Sequence, residues 1–124
     1  MNRRSYTPTE PVLMSYCDRI QAFRDGDDSP RDFLERCLER IEGFEKEIKA
    51  FTVVNIDGAR QAADASTRRY KEGRPLSQVD GMPIGVKDII HTADMPTQMG
   101  SSLFKDWRPI STLPLSARSN KPGR

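Results

Sequence analysis

Two cysteines, one histidine and one tryptophan stand among 124 residues, and each shortage removes a class of function. One histidine and two distant cysteines provide no ligand set for a zinc or other transition-metal centre. Cys17 and Cys37 each lie in a helical pattern among apolar neighbours, which predicts reduced, half-buried thiols of a cytosolic protein and no disulfide framework. No apolar run approaches the roughly 20 residues that span a bilayer, so no membrane association is expected. The start, Met1-Asn-Arg-Arg-Ser-Tyr-Thr-Pro8, is basic, but no apolar stretch follows as a secretory signal would require. The composition therefore points to the cytoplasm.

Apolar residues are also scarce, at 35% against a globular norm of roughly 45–50% that counts glycine as well. Charged residues make up 31%. A chain of this length suffices for one small domain with a lean core. Neither sign of charge dominates. Of the 20 basic residues, Arg118, Lys121 and Arg124 lie in the acid-free stretch 110–124, which leaves 17 basic against 18 acidic groups in residues 1–109. A neutral body gives no electrostatic footprint for direct nucleic-acid binding.

Residues 1–11 are polar, contain Pro8 and Pro11, and read as a flexible arm. Val12, Leu13, Tyr16, Cys17, Ile20 and Phe23 then fall at helical spacing, and Asp25-Gly26-Asp27-Asp28 ends that helix. Ser29 is the expected N-cap of a second helix, with Pro30 at its first position and Asp32 as a weak capping-box partner. Phe33, Leu34, Cys37, Leu38, Ile41, Phe44 and Ile48 form its apolar stripe. The opposite face, with Glu35, Arg36, Glu39 and Arg40, reads as solvated, and Gly43 weakens the helix midway.

Phe51-Thr-Val-Val54 is β-branched and reads as a strand. Asn55 is positioned to cap a third helix reaching about Glu72, with a small inward face (Ile56, Ala59, Ala63, Tyr70) suited to packing on a sheet. Gly73-Arg74-Pro75 ends it. Gly81-Met82-Pro83 is turn chemistry, and Ile84 to Ile90 reads as a second strand. The order helix, helix, strand, helix, strand predicts an α/β fold: N-terminal helices plus the first strands of an incomplete mixed sheet, since two strands make a poor sheet alone.

The segment from Asp80 to Ser102, Asp-Gly-Met-Pro-Ile-Gly-Val-Lys87-Asp88-Ile-Ile-His-Thr-Ala-Asp-Met-Pro96-Thr97-Gln-Met-Gly100-Ser101-Ser102, carries the chemistry. Burying an ammonium inside an apolar strand is costly, so Lys87 either reaches solvent, pairs with a carboxylate, or serves as a base. In the last case desolvation lowers its pKa from about 10.4 so that it accepts a proton near neutrality. Asp88 cannot partner Lys87 on the same strand face, because neighbouring side chains alternate; it is expected to hold backbone or a loop. Ser101 and Ser102 read as loop hydrogen-bonders, and His91 as an exposed strand-end residue without a catalytic partner.

This segment resembles the lysine-bearing part of the amidase signature family, the amidases with a Ser-cisSer-Lys triad. Asp80 to Asp88 matches the family's Gly-x-Pro-x-x-Val-Lys-Asp pattern. Ala93-Asp-Met-Pro-Thr-x-x-Gly-Ser101 is similar to its continuation, with Asp94 at the usual glycine. The likeness covers roughly residues 12–109 and implies the N-terminal part of an amidase domain. It implies Lys87 as the triad base, working through a cis-linked serine on the nucleophilic serine, and a small-molecule amide as substrate. No metal or cofactor is implied. The Gly/Ser-rich signature that supplies both serines and the oxyanion-hole amides is absent, so the chain alone is expected to be inactive.

After Pro109 the likeness stops. Residues 110–124 have no helical stripe and read as a disordered, non-family tail. One codon choice for residues 109–124, read one base earlier, encodes Asp-Phe-Asp-Ala-Pro-Ala-Val-Gly-Ala-Val-Lys-Gln-Ala-Gly-Ala, where the family shows Asp-x-Asp-Ala and later Ala-Gly-Ala. A one-base deletion near codon 109 is the resulting expectation. Three functions follow: a fragment of an amide C–N hydrolase; a fragment of the A-subunit of a tRNA-dependent amidotransferase, acting as a glutaminase; or a non-enzymatic helical interaction domain. For the intact protein, a homodimer or the other amidotransferase subunits are the expected partners.

Overall fold

The computed structural model describes residues 16–108; the expectations for the arm and the tail lie outside them. Three helices, α1 (Cys17–Asp25), α2 (Pro30–Ile48) and α3 (Ile56–Lys71), are followed by a long looped segment with one 3₁₀ turn, Ser102–Phe104.

Local chemistry explains the helix boundaries. Gly26 ends α1 at φ +82°, with its N–H donating to the Ala22 carbonyl, a left-handed conformation that glycine adopts without a Cβ penalty. Ser29 caps α2: its Oγ accepts the Asp32 N–H at 3.1 Å and its hydroxyl donates to Asp32 Oδ2 at 2.8 Å. The reciprocal half of the capping box is taken over by Asp28, whose Oδ1 accepts the Ser29 N–H at 2.8 Å. The helix continues through Gly43 to Ile48 and closes on Lys49 in a left-handed conformation. Asn55 caps α3 as expected, accepting the Gly58 N–H at 3.0 Å.

The core is aromatic. Phe23, Phe33 and Tyr70 are buried, with Tyr16 and Cys37 packed against them. The Tyr16, Phe23, Phe33 and Tyr70 rings meet edge-on or tilted at centroid separations of 5.6–6.1 Å, the geometry that the ring quadrupoles favour. Ala63 and Ser66 let α3 approach α2 closely; both are buried.

Ion pairs lace the same two helices. Arg60 grips Glu35 through Nε and Nη2, both at 2.8 Å. Arg31 holds Glu35 at 2.8 Å and Asp64 at 2.6 Å. The charged side of α2 is therefore only partly solvated, since Glu35 and Arg31 face the neighbouring helix.

Two expectations change. The segments 51–54 and 84–90 form no strand, and none occurs among the described residues. A strand is stabilised by a partner that satisfies its backbone groups, and these two segments do not pair with each other; the Phe51 N–H instead donates to the Glu45 carboxylate at 2.7 Å. The small face of α3 consequently packs on α2 and α1, not on a sheet.

The stripe of α2 is covered only along its first half. Phe33 and Leu34 are buried, whereas Phe44 and Ile48 are 49% and 64% exposed.

Candidate functional site

The Asp80–Gly81 pair anchors the lysine-bearing segment to the helices. Arg69, in the last turn of α3, donates from Nε and Nη2 to the two Asp80 oxygens at 2.8 and 2.5 Å. The Leu76 N–H adds a third bond at 3.0 Å, and the Tyr16 hydroxyl donates to the Asp80 carbonyl. Burial opposes ionisation of Asp80, but the Arg69 guanidinium and the Leu76 N–H outweigh it and hold the carboxyl below its usual range. Burial, followed by the neighbouring Tyr70, pushes the Tyr16 phenol well above its ordinary value. At Gly81, φ is +84° and a Cβ would lie 2.5 Å from Ser66 Oγ and 2.8 Å from Pro30 Cβ. The turn at Gly81 was legible in the sequence. The role of Asp80 was not, because its partner lies on a helix face that local patterns cannot orient.

From Met82 to Lys87 the chain runs without regular structure. Ile84 is 70% exposed, and Lys87 is exposed too. Of the alternatives open for this amine, residues 16–108 leave it at the solvent. Among the described residues no carboxylate forms an ion pair with it. Lys87 borders a cavity of about 30 Å³ shared with Thr52, Asp88 and Thr92.

Asp88 does hold a loop. Its Oδ1 accepts the Gln98 N–H at 2.7 Å and its carbonyl accepts the Met99 N–H at 3.0 Å. Thr97, only 1% exposed, donates its N–H to the Trp107 carbonyl at 2.9 Å. His91 is half-buried, its ring tilted against that of Trp107 at a centroid separation of 5.1 Å; no strand forms there for it to end. Ser101 Oγ accepts the Leu103 N–H at 3.3 Å and starts the 3₁₀ turn that Ser102 opens, so Ser101 is the loop hydrogen-bonder expected. Asp94 accepts from Asn55 Nδ2 at 2.7 Å, tying this loop to the start of α3.

A larger cleft of about 690 Å³ opens between the middle of the α2 stripe (Leu34 to Ile41), Phe51 and the 81–86 run. Its lining is mostly apolar, including Leu38, Ile41, Met82 and Ile84. Cys37 lies on its wall, Cys17 is exposed, and both thiols are free. No group of three or more His, Cys, Asp or Glu side chains among the described residues is placed to hold a metal ion. None of the described helices is long and apolar enough to cross a membrane.

The sequence profile of the amidase family matches residues 32–112. The chain belongs to the amidase signature family. Within that match lie nearly all of α2, the whole of α3, the Asp80 anchor, Lys87 and the loop pinned by Asp88. Helix α1 lies outside it.

Relatives in this family are similar over most of the chain. The A-subunit of glutamyl-tRNA(Gln) amidotransferase from Chloroflexus aurantiacus is 40% identical over 84 residues, 68% of this chain and 17% of that protein. The protein of the same name from Mycobacterium bovis is 35% identical over 77% of this chain and 19% of its own length. That of Leptospira interrogans is 31% identical over 80% of this chain and 20% of its own. The chain thus spans about a fifth of the length of these relatives. No solved structure matches it.

Proposed function

We propose that this chain is the N-terminal part of an amidase-family hydrolase that cleaves carboxylic amide C–N bonds, with Lys87 as the base of a Ser-cisSer-Lys triad. The family match across the Lys87 segment carries this reading. In the intact enzyme, Lys87 accepts the proton of the nucleophilic serine through the intervening serine. The serine oxygen attacks the amide carbonyl, the amine departs with a proton, and water releases the acyl group. No metal or cofactor takes part.

Lys87 stands exposed in residues 16–108, so the burial that this role requires must come from further family segments packing over it. Those segments would also pair the 51–54 and 84–90 runs into the family's mixed sheet and cover the apolar cleft. Residues 12–109 are then the family portion and 110–124 a frameshifted tail. The chain alone, with neither a serine nucleophile nor oxyanion donors, hydrolyses nothing.

Sequencing the gene beyond codon 124 and restoring the frame at codon 109 tests the proposal. The restored protein should hydrolyse simple amides, and Lys87→Ala should abolish turnover. A downstream sequence with no Gly/Ser-rich signature in any frame overturns it, as does hydrolysis by residues 1–124 alone.

A second reading is favoured by the relatives named as the A-subunit of glutamyl-tRNA(Gln) amidotransferase: glutaminase chemistry feeding a separate transamidation subunit. In that case the restored protein is a cytoplasmic subunit that releases ammonia from glutamine only with its partner subunits present. Activity on simple amides without partners selects the hydrolase.

A further inference from the structure

We propose that Asp88 is the positioning residue for Lys87, clamping the lysine segment to the turn at residues 97–100; this deepens the amidase reading and rests on it for its catalytic consequence.

Lys87 makes no side-chain ion pair among the described residues, so its location depends on its backbone. That backbone is held by a turn in which the Ile90 N–H donates to the Lys87 carbonyl at 2.9 Å. Asp88 follows directly, and both of its acceptor groups point at one short stretch. The carboxylate takes the Gln98 N–H at 2.7 Å and the carbonyl takes the Met99 N–H at 3.0 Å.

Presenting two consecutive N–H groups to one residue bends the chain sharply. Met99 and Gly100 accordingly sit at φ +55° and +66°. For Met99 this is a conformation that non-glycine residues rarely adopt, and the surroundings must hold it there. The far side of the turn is fixed independently through Thr97, whose N–H reaches the Trp107 carbonyl and whose hydroxyl reaches the Ile90 carbonyl at 3.4 Å. Asp88 thus ties this loop directly to the residue that carries the amine, alongside the Thr97–Ile90 contact.

The second carboxylate oxygen, Oδ2, is buried without a hydrogen-bond partner among the described residues. It lies on the residue that shares the 30 Å³ cavity with Lys87 and Thr52. Buried acceptors in native proteins are normally satisfied. The carboxylate therefore retains capacity for a donor beside the lysine, which a plain loop staple does not need.

Two variants separate the clamp from a general stabilising role. Asp88→Asn keeps an acceptor oxygen for the Gln98 N–H, whereas Asp88→Ala removes it. In the 124-residue chain, amide hydrogen exchange at Gln98, Met99 and Ile90 should accelerate together by about tenfold or more in Asp88→Ala, and be largely restored in Asp88→Asn, with α2 and α3 amides unchanged. Unchanged exchange at these three amides in Asp88→Ala overturns the proposal, as does equal acceleration throughout the helices.

In the frame-restored protein, Asp88→Ala should lower kcat by about a hundredfold with KM within about twofold, the signature of a misplaced reacting group, and Asp88→Asn should recover most of it. A loss confined to KM overturns the positioning role. If the restored protein has no amidase activity, the exchange result still decides the clamp, and the functional reading fails separately.

Discussion

Arg69 and Asp80 form a two-pronged ion pair that fastens the start of the lysine-bearing segment to the last turn of α3, with the Asp80 side chain only 4% exposed. The pair joins residues eleven positions apart and sets where the following run leaves the helical body. Arg69→Ala leaves a buried carboxylate without its charged partner, retaining the Leu76 N–H, and should destabilise the chain by about 3 kcal/mol. Asp80→Asn should cost less, since an amide oxygen still accepts. Urea titration followed by far-UV circular dichroism measures both, and equal midpoints for Arg69→Ala and the parent would refute the assignment.

Gly81 admits no side chain. Its φ of +84° and the 2.5 Å separation between Ser66 Oγ and the position a Cβ would take combine left-handed strain with overpacking against Pro30. Gly81→Ala should therefore lose about 2–4 kcal/mol. Gly43, with open space around its Cβ position, is the control. Gly43→Ala should gain up to about 1 kcal/mol from helix propensity, so the two alanine variants are expected to shift the thermal midpoint in opposite directions.

Acid should loosen the α2–α3 contact. The Arg60 guanidinium foremost, with Arg31 assisting against partial desolvation, holds the Glu35 carboxyl down at about 2 against an ordinary value of 4.5. A carboxyl lowered on folding stabilises the folded state fully above its unfolded value, and that contribution disappears as pH falls toward the folded one. Stability should thus decline between pH 4.5 and 2, with Asp80 shifted in the same direction. Glu35→Gln should flatten the decline, and a thermal midpoint insensitive to pH in this window would contradict the ion-pair geometry.

The cap on α2 gives a smaller, local test. Ser29→Ala removes the acceptor for the Asp32 N–H and should cost about 1 kcal/mol, while Ser29→Asp should retain most of the stability.

The two thiols should differ in reactivity. Cys17 is exposed, while burial pushes the Cys37 thiol up despite Arg36 and Arg40 nearby. An aromatic disulfide reagent at pH 8 should modify Cys17 first and Cys37 in a distinct slower phase. Modification of both at one rate would place Cys37 outside the packed wall described above.

The sequence was legible where structure depends on neighbours within a turn or two. Ser29, Pro30 and Asn55 marked the starts of α2 and α3, because capping acts between residues three apart. It misled where the outcome depends on a distant partner. Phe51 to Val54 and Ile84 to Ile90 have strand composition, yet neither forms a ladder within residues 16–108, where each lacks a neighbouring strand. Lys87 was readable as the motif's lysine, but the choice between solvent, a carboxylate partner and burial was not, because solvent access depends on what packs above it. Asp80 escaped notice for a related reason: nothing in a string of letters shows that Arg69 turns toward it.

Helix caps, the apolar stripes and family membership were thus contained in the order of residues, since caps, periodicity and motif spacing are short-range properties. Folding in three dimensions alone settled that Asp80 meets Arg69, that Asp88 reaches the turn at Gln98, and that the amine of Lys87 remains in water. Each of these is an encounter, or a missing one, between groups whose proximity arises from helix packing and loop closure.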